Sequence, residues 1–293
     1  MKQRIGFVGV GLMGTPLARH LITAGYPVIV HDVDPAKIEA VVQSGAARVK
    51  SPDEIPPQVD VIIMSLPTAE IVNDVVRNSL RLFETGRKGL IVLDASTIDA
   101  KASVDLATEL RQHGIEMLDS TVSGSPLMCA AKENIFMVAG RREIFEQCAP
   151  IIAAMSKEHV YVGENGRAIM TKLVVNLVLS MNYMALAEGL TLAQKAGLDP
   201  MQTLDVLKKS AAYSKAMDMK GERMVNRQYV PALGRQDLHL KDIRLILALG
   251  ERLNCPLPLI SLNAQAVASE MAKGRAEWDN SAIMAFYSEL ANT

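Results

Sequence analysis

The sequence predicts an α/β protein, with an N-terminal doubly wound parallel sheet of Rossmann type followed by an all-helical C-terminal domain. Three observations lead there. Short apolar runs alternate with helical patterns through the first half, a glycine-rich turn joins the first run to the first helix, and the second half carries helical periodicity alone.

The first run, Ile5-Gly6-Phe7-Val8, has the composition of a buried central strand. It leads into Gly9-Val10-Gly11-Leu12-Met13-Gly14, then into a helical pattern with Leu17, Leu21 and Ile22 on one face. Val28-Ile29-Val30-His31-Asp32 reads as a second strand closing on an acid. In such a unit the first glycine permits a tight turn and the second lets backbone approach a pyrophosphate. The third permits close packing of helix on strand, and the helix N-terminus faces the anion. Asp32 follows about 20 positions on, where a carboxylate accepts from the adenosine ribose hydroxyls. It would repel a 2′-phosphate, and Val33 supplies no guanidinium, so NAD is expected over NADP.

Further strands are expected over 59–67, 90–97 and 116–119, with a helix over 101–113. Ligands of such sheets bind beyond the carboxyl ends of the strands, so Leu66-Pro67, Ser96-Thr97 and Ser123-Gly124 should line one crevice. Val160-Tyr161-Val162-Gly163 reads as the last strand. The expected domains are therefore 1–163, binding the dinucleotide, and 164–293, helical, with an active site in the cleft they form.

A long helix from about 167 to 196 joins the two. Its apolar run, 173–187, falls short of the roughly 20 residues a membrane span needs, so a helix buried among others is expected. Its aliphatic surface also suggests packing on a second subunit, in a homodimer or homotetramer. Lys172, Asn176 and Ser180 recur at four-residue spacing and share a face. A buried lysine is expensive without a partner or a purpose, and desolvation lowers its pKa toward neutrality, where it can serve as general acid and base. Asn176, one turn on, can hold the amine or a substrate oxygen. The alternative has Lys172 snorkelling its amine to water, and spacing alone does not separate the two. Helices are also expected over 201–211, 238–253 and 259–273, with Asn254-Cys255-Pro256-Leu257-Pro258 a turn.

Of the 293 residues 49% are hydrophobic and 22% charged, enough for a substantial core. Only 4% are aromatic against 16 methionines, so that core must be aliphatic. A net charge of −1 gives no electrostatic reason to expect nucleic acid or an anionic membrane as partner. Cys129, Cys148 and Cys255 are too scattered for a disulfide framework or a zinc site, so no metal is expected. Reduced thiols and a glycine-interrupted N-terminus unlike a signal peptide point to a cytoplasmic setting.

Four segments, in order, resemble the β-hydroxyacid dehydrogenase family. They are Phe7 through Ala18; Asp119-Ser120-Thr121-Val122-Ser123-Gly124; Gly166 through Asn176; and Asp237-Leu238-His239-Leu240-Lys241-Asp242. The resemblance implies reversible oxidation of a small carboxylate substrate, a 3-hydroxyacid, with Lys172 as catalytic acid/base and Asn176 beside it. It implies Ser123 and Gly124 as the substrate-carboxylate grip. Leu66, Pro67, Thr97 and Lys241 become cofactor contacts, joining Gly9, Val10, Gly11, Leu12, Met13, Gly14 and Asp32. The chain departs from the family pattern at Thr121, where relatives carry proline, and at Ser125, Met128 and Lys132, where they carry glycine. Those changes bear on the substrate; Ser125 and Lys132 suit either a second acidic group or a solvent-facing loop. Two other readings stand beside this one. An imine or carbonyl reductase on the same architecture would need no carboxylate grip, and a non-enzymatic NAD sensor would need no Lys172 with Asn176.

Overall fold

The computed structural model describes residues 2–293, which divide into two compact units after Lys172. The first is built on an eight-stranded sheet. Its strands are β1 (Ile5–Val8), β2 (Val28–His31), β3 (Ala47–Arg48), β4 (Val61–Met64), β5 (Ile91–Asp94), β6 (Glu116–Ser123), β7 (Ile135–Ala139) and β8 (Glu158–Gly163). They lie in the order β3-β2-β1-β4-β5-β6-β7-β8. Connecting them are α1 (Gly14–Thr23), α2 (Pro35–Val42), α3 (Ala69–Asp74), α4 (Leu82–Thr85), α5 (Ala100–Gln112), α6 (Pro126–Ala130) and α7 (Arg142–Met155). The chain enters at the centre of the sheet, with β2 on one side of β1 and β4 on the other, so the strand order reverses beside β1. That is the switch point where doubly wound sheets open a crevice.

The expected parallel sheet extends through β6, and then β7 turns back. Thr121 pairs with Met137 and Ser123 with Ile135 in antiparallel register. The link between β6 and β7 is on the order of ten residues, shorter than the dozen or more a parallel crossover requires. β6 also runs on to Ser123 rather than ending near Asp119, because β7 supplies partners for its second half.

Side-chain alternation puts Ile5 and Phe7 on the sheet face covered by α1 and α7, where Leu17, Leu21, Ile151 and Ile152 are fully buried. Each such aliphatic side chain contributes about 1.5–3 kcal/mol. Gly6 faces the other side, where a Cβ would come within 2.4 Å of Ile55 Cγ2.

The second unit is helical. α8 (Arg167–Lys195) enters it from the first, followed by α9 (Pro200–Lys209), α10 (Lys215–Val225), α11 (Gln236–Arg252), α12 (Pro258–Ala272) and α13 (Ile283–Ala291). α9 starts where Asp199 accepts from the Gln202 N–H and Pro200 takes the first helical position. α8 is long and apolar enough to cross a bilayer by length and composition, and 39% of its most apolar stretch is buried within the chain. It is covered less completely than its sequence suggests. Val174, Val178 and Leu192 are 59%, 52% and 71% exposed.

A buried ion pair ties α10 to the turn before α13. Lys220 Nζ lies 2.8 Å from both oxygens of Asp279, and neither residue is more than 3% exposed. The carboxylate also accepts from the backbone N–H groups of Leu233, Gly234 and Ser281. Lys220→Ala would leave the solvent-excluded Asp279 with only the more distant Arg223, 3.8 Å away, so urea unfolding should report a loss of about 3 kcal/mol. A loss below about 1 kcal/mol would mean that water reaches Asp279.

Candidate active site

The glycine turn divides its work in space. Gly9 adopts φ +88°, and a Cβ on it would fall 2.4 Å from the Ser65 carbonyl oxygen. A Cβ on Gly14 would fall 2.0 Å from the Gly9 oxygen and 3.1 Å from Phe7 Cε1, so α1 can lie against β1 only with glycine there. Around Gly11 a Cβ would meet nothing within 4 Å. The space is open, and α1 begins beside it with no side chain capping its N–H groups. Open room beside uncapped donors at a helix start fits a dinucleotide pyrophosphate.

Asp32 is anchored rather than loose. Its Oδ2 accepts from the Val10 N–H at 2.9 Å and its Oδ1 from the Asp34 N–H at 3.0 Å. Each oxygen keeps acceptor capacity for a ribose hydroxyl. Lys37 Nζ stands 3.9 Å from Asp32 and 3.6 Å from Asp34, a cation that sequence reading did not bring here.

At the carboxyl ends of the next strands, the Leu66 N–H donates to Ser96 Oγ at 2.9 Å, and the Ser96 N–H donates to Asp94 Oδ1 at 3.0 Å. Pro67 is exposed and Thr97 half-buried. Asp94 is 1% exposed, and its Oδ2 has no hydrogen-bond partner among the described residues. Burial pushes this carboxyl up to about 7, against the hydrogen bonds from Ser96 that pull it down. Asp119 sits opposite Asp94 in the β5–β6 register and pushes the same way. Sequence reading missed Asp94, although a lone acid ending an otherwise apolar strand was there to be noticed.

Asp119 accepts from the Gly166 N–H at 2.5 Å and from Asn165 Nδ2 at 2.9 Å. Thr121, fully buried, donates its hydroxyl to the Ala168 carbonyl at 3.1 Å, a bond that proline could not make. The first turn of α8 is thereby fastened to β6. Lys172 follows on α8 and is only 9% exposed, so its body does not project into solvent. Burial pushes the Cys129 thiol up to about 11, and the Lys172 charge pulls it back. That coupling locates Lys172 near α6, the helix that follows Ser123 and Gly124.

The departures in this loop have local uses. Ser125 caps α6 by accepting from the Met128 N–H, so its hydroxyl is engaged there. Lys132 occupies the left-handed region at φ +58°. Its N–H bonds the Cys129 carbonyl, while the Glu133 N–H bonds that of Met128. Met128 gives its N–H to Ser125 and its carbonyl to the Glu133 N–H, and a Cβ on Gly124 would lie 3.4 Å from Met128 Cβ.

In the second unit Asn176 Nδ2 donates to Asp242 Oδ2 at 2.9 Å, and Lys241 Nζ lies 3.0 Å from the other oxygen of Asp242. One turn along α8, buried Ser180 lies 3.5 Å from His239 Nε2. Burial pushes His239 down to about 4, so its imidazole is neutral at physiological pH. Asp242 thus organises two predicted site residues, and its place beside Lys241 was the available signal. Among the described residues no cluster of three metal-binding side chains occurs.

Residues 4–163 match the NAD-binding domain family of 6-phosphogluconate dehydrogenase. Residues 166–287 match the family described as NAD-binding of NADP-dependent 3-hydroxyisobutyrate dehydrogenase. The chain is 30% identical to 2-(hydroxymethyl)glutarate dehydrogenase of Eubacterium barkeri, over 98% of this chain and 95% of that one. It is 28% identical to 2-hydroxy-3-oxopropionate reductase of Escherichia coli, over 99% of both. Among solved structures it resembles a 3-hydroxyisobutyrate dehydrogenase of Mycobacterium tuberculosis with L-serine. That match has a TM-score of 0.87 and 27% identity, and covers 97% of this chain and 99% of the other.

Asp94 generates a pH dependence of stability. Between the ordinary carboxylate range and about pH 7 the unfolded chain releases a proton that the folded chain keeps. Stability from this group is therefore full in acid and is lost as pH rises through about 7. Asp94→Asn, neutral at every pH, should melt roughly 2–4 °C above the parent at pH 8. The gap should close toward about pH 4, and a gap that persists unchanged in acid would overturn the assignment.

Proposed function

Because the chain belongs to the β-hydroxyacid dehydrogenase family, we propose that it interconverts a small 3-hydroxyacid and its semialdehyde or keto acid, preferring NAD. The family membership itself assigns nicotinamide-dependent oxidoreduction of hydroxyacids. The finer reading rests on one observation: Lys172 is buried beside the segment that follows Ser123 and Gly124.

Bound nicotinamide would accept hydride from the substrate carbon, or return it. Lys172 takes the hydroxyl proton during oxidation and gives it back during reduction. The backbone N–H groups at Ser123 and Gly124 hold the substrate carboxylate and so fix the direction of the carbinol C–H bond. Asn176 commits one amide hydrogen to Asp242, which leaves its carbonyl oxygen to accept from the substrate hydroxyl. Asp242 holds Lys241 in the same way. Gly9 through Gly14 receive the pyrophosphate, Leu66, Pro67 and Thr97 border the cofactor, and Asp32 takes the ribose hydroxyls.

The exposed aliphatic face of α8, with Val174, Val178 and Leu192, supports a homodimer or homotetramer in which a second copy covers it. The three free thiols support a reducing, cytoplasmic setting.

A panel of 3-hydroxyacids and semialdehydes followed by NADH absorbance tests the reaction, and no turnover on any of them would sink it. Lys172→Ala should lower kcat by about 10²–10⁴-fold while NADH binding survives; loss of both together would make the lysine structural. Asp32→Ala removes the carboxylate that repels a 2′-phosphate and leaves Lys37 with Asp34 alone. The ratio of kcat/KM for NAD to that for NADP should fall by roughly tenfold or more, and an unchanged ratio would remove Asp32 from the ribose site.

A further inference from the structure

Three strand ends meet where the strand order reverses. β1 runs into the glycine turn, β4 into Ser65-Leu66-Pro67, and β5 into Ala95-Ser96-Thr97. The Ser65 N–H donates to the Val8 carbonyl at 2.9 Å, and the Ala95 N–H to the Met64 carbonyl at 2.8 Å. The backbone ladder therefore continues one bond past each strand. The β4–β5 register would next send the Leu66 N–H to the Ala95 carbonyl. It goes instead to Ser96 Oγ, at 2.9 Å. A side chain thus takes over from the backbone where the two chains part.

Ser96 is held for that task. It is 3% exposed, although its place after β5 predicts a residue lining the crevice. Its N–H donates to Asp94 Oδ1 at 3.0 Å, and its hydroxyl donates to the same carboxyl. With that hydrogen committed, the oxygen turns its lone pairs toward Leu66. Asp94 is itself 1% exposed at the end of a wholly buried strand, so the acceptor stands on a fixed base. Ser65 needs no such support, because Val8 holds it. The section of chain that depends on Ser96 begins at Leu66.

Sheet order says which end of a dinucleotide that section meets. Asp32 follows β2 on one side of β1, and Leu66 follows β4 on the other. With the adenosine ribose at Asp32 and the pyrophosphate at the glycine turn, the second nucleoside passes the end of β4. We propose that Ser96 is a positioning residue for the nicotinamide half of the cofactor, acting through the Leu66–Pro67 turn. This rests on the dinucleotide site proposed above.

Ser96→Ala removes the acceptor and leaves the Leu66 N–H to the Ala95 carbonyl, which draws the turn toward β5. NADH and ADP, titrated calorimetrically into the full-length protein, separate the two halves, because ADP lacks the nicotinamide nucleoside. In Ser96→Ala the Kd for NADH should rise about five- to tenfold. The Kd for ADP should stay within about twofold of the parent value, which also shows that the variant is folded. Ser96→Thr keeps the hydroxyl and should recover most of the NADH affinity. The proposal fails if Ser96→Ala binds NADH as the parent does, or if ADP weakens in step with NADH. A parent that binds neither ligand would instead remove the dinucleotide site itself, and this role with it.

Discussion

A buried carboxylate decides where α8 begins. Asp119 ends the parallel half of β6 and accepts from Asn165 and from the Gly166 N–H, immediately before the helix. Thr121, two residues on, adds its hydroxyl to the Ala168 carbonyl. These bonds cross more than 40 residues of intervening chain, and they locate Lys172 relative to the strand that delivers Ser123 and Gly124. A shift of one residue at the start of α8 would rotate its side chains by about 100°. Lys172 would then leave its face, so the polar knot at Asp119 sets where that lysine stands as well as contributing to stability. Proximity to Asp119 also helps to keep Asp94 protonated, which spares the interior a second negative charge.

The helical unit uses polar groups in two distinct ways. Asp242 and His239 lie on one side of α11 and receive Asn176 and Ser180 from α8, holding two helices in register through side chains of complementary length. Because His239 is neutral, that contact carries no charge that moderate acid would change. The Lys220–Asp279 pair instead satisfies backbone donors of an irregular loop, a task that an apolar pair could not perform.

Legibility followed how local the determining interactions are. The turn from Gly9 to Gly14 and the acid at Asp32 are set by steric rules over a short stretch, so glycine spacing between a strand and a helix was legible without tertiary structure. The long period of α8 likewise fixed Lys172, Asn176 and Ser180 on one face. β7 went unread because Ile135 to Ala139 is a short run that needs β6 and β8 to become a strand. β3 is two exposed residues with no pattern to find. α10 escaped for another reason. Its buried face comprises Ala216, Met217, Lys220, Gly221 and Met224, at helical spacing but with a lysine and a glycine among them. That face reads as polar until Asp279, 59 residues on, is known to meet it. Asp242 was visible as part of a motif, but its hold on Asn176 crosses 66 residues and belongs to tertiary structure.

α6 is closed at both ends by its own chain, through the Ser125 hydroxyl at the start and the turn at Lys132 at the finish. His20, from α1, is also bonded to its Cys129 carbonyl. Such a helix resists bending, so residues on its outer surface can vary without disturbing the strand end that precedes it. Leu127, 62% exposed at its crest, is the member freest to change. Substitution at that rim therefore leaves the end of β6 at Ser123 in place, and the surface of this segment can be recontoured at little mechanical cost.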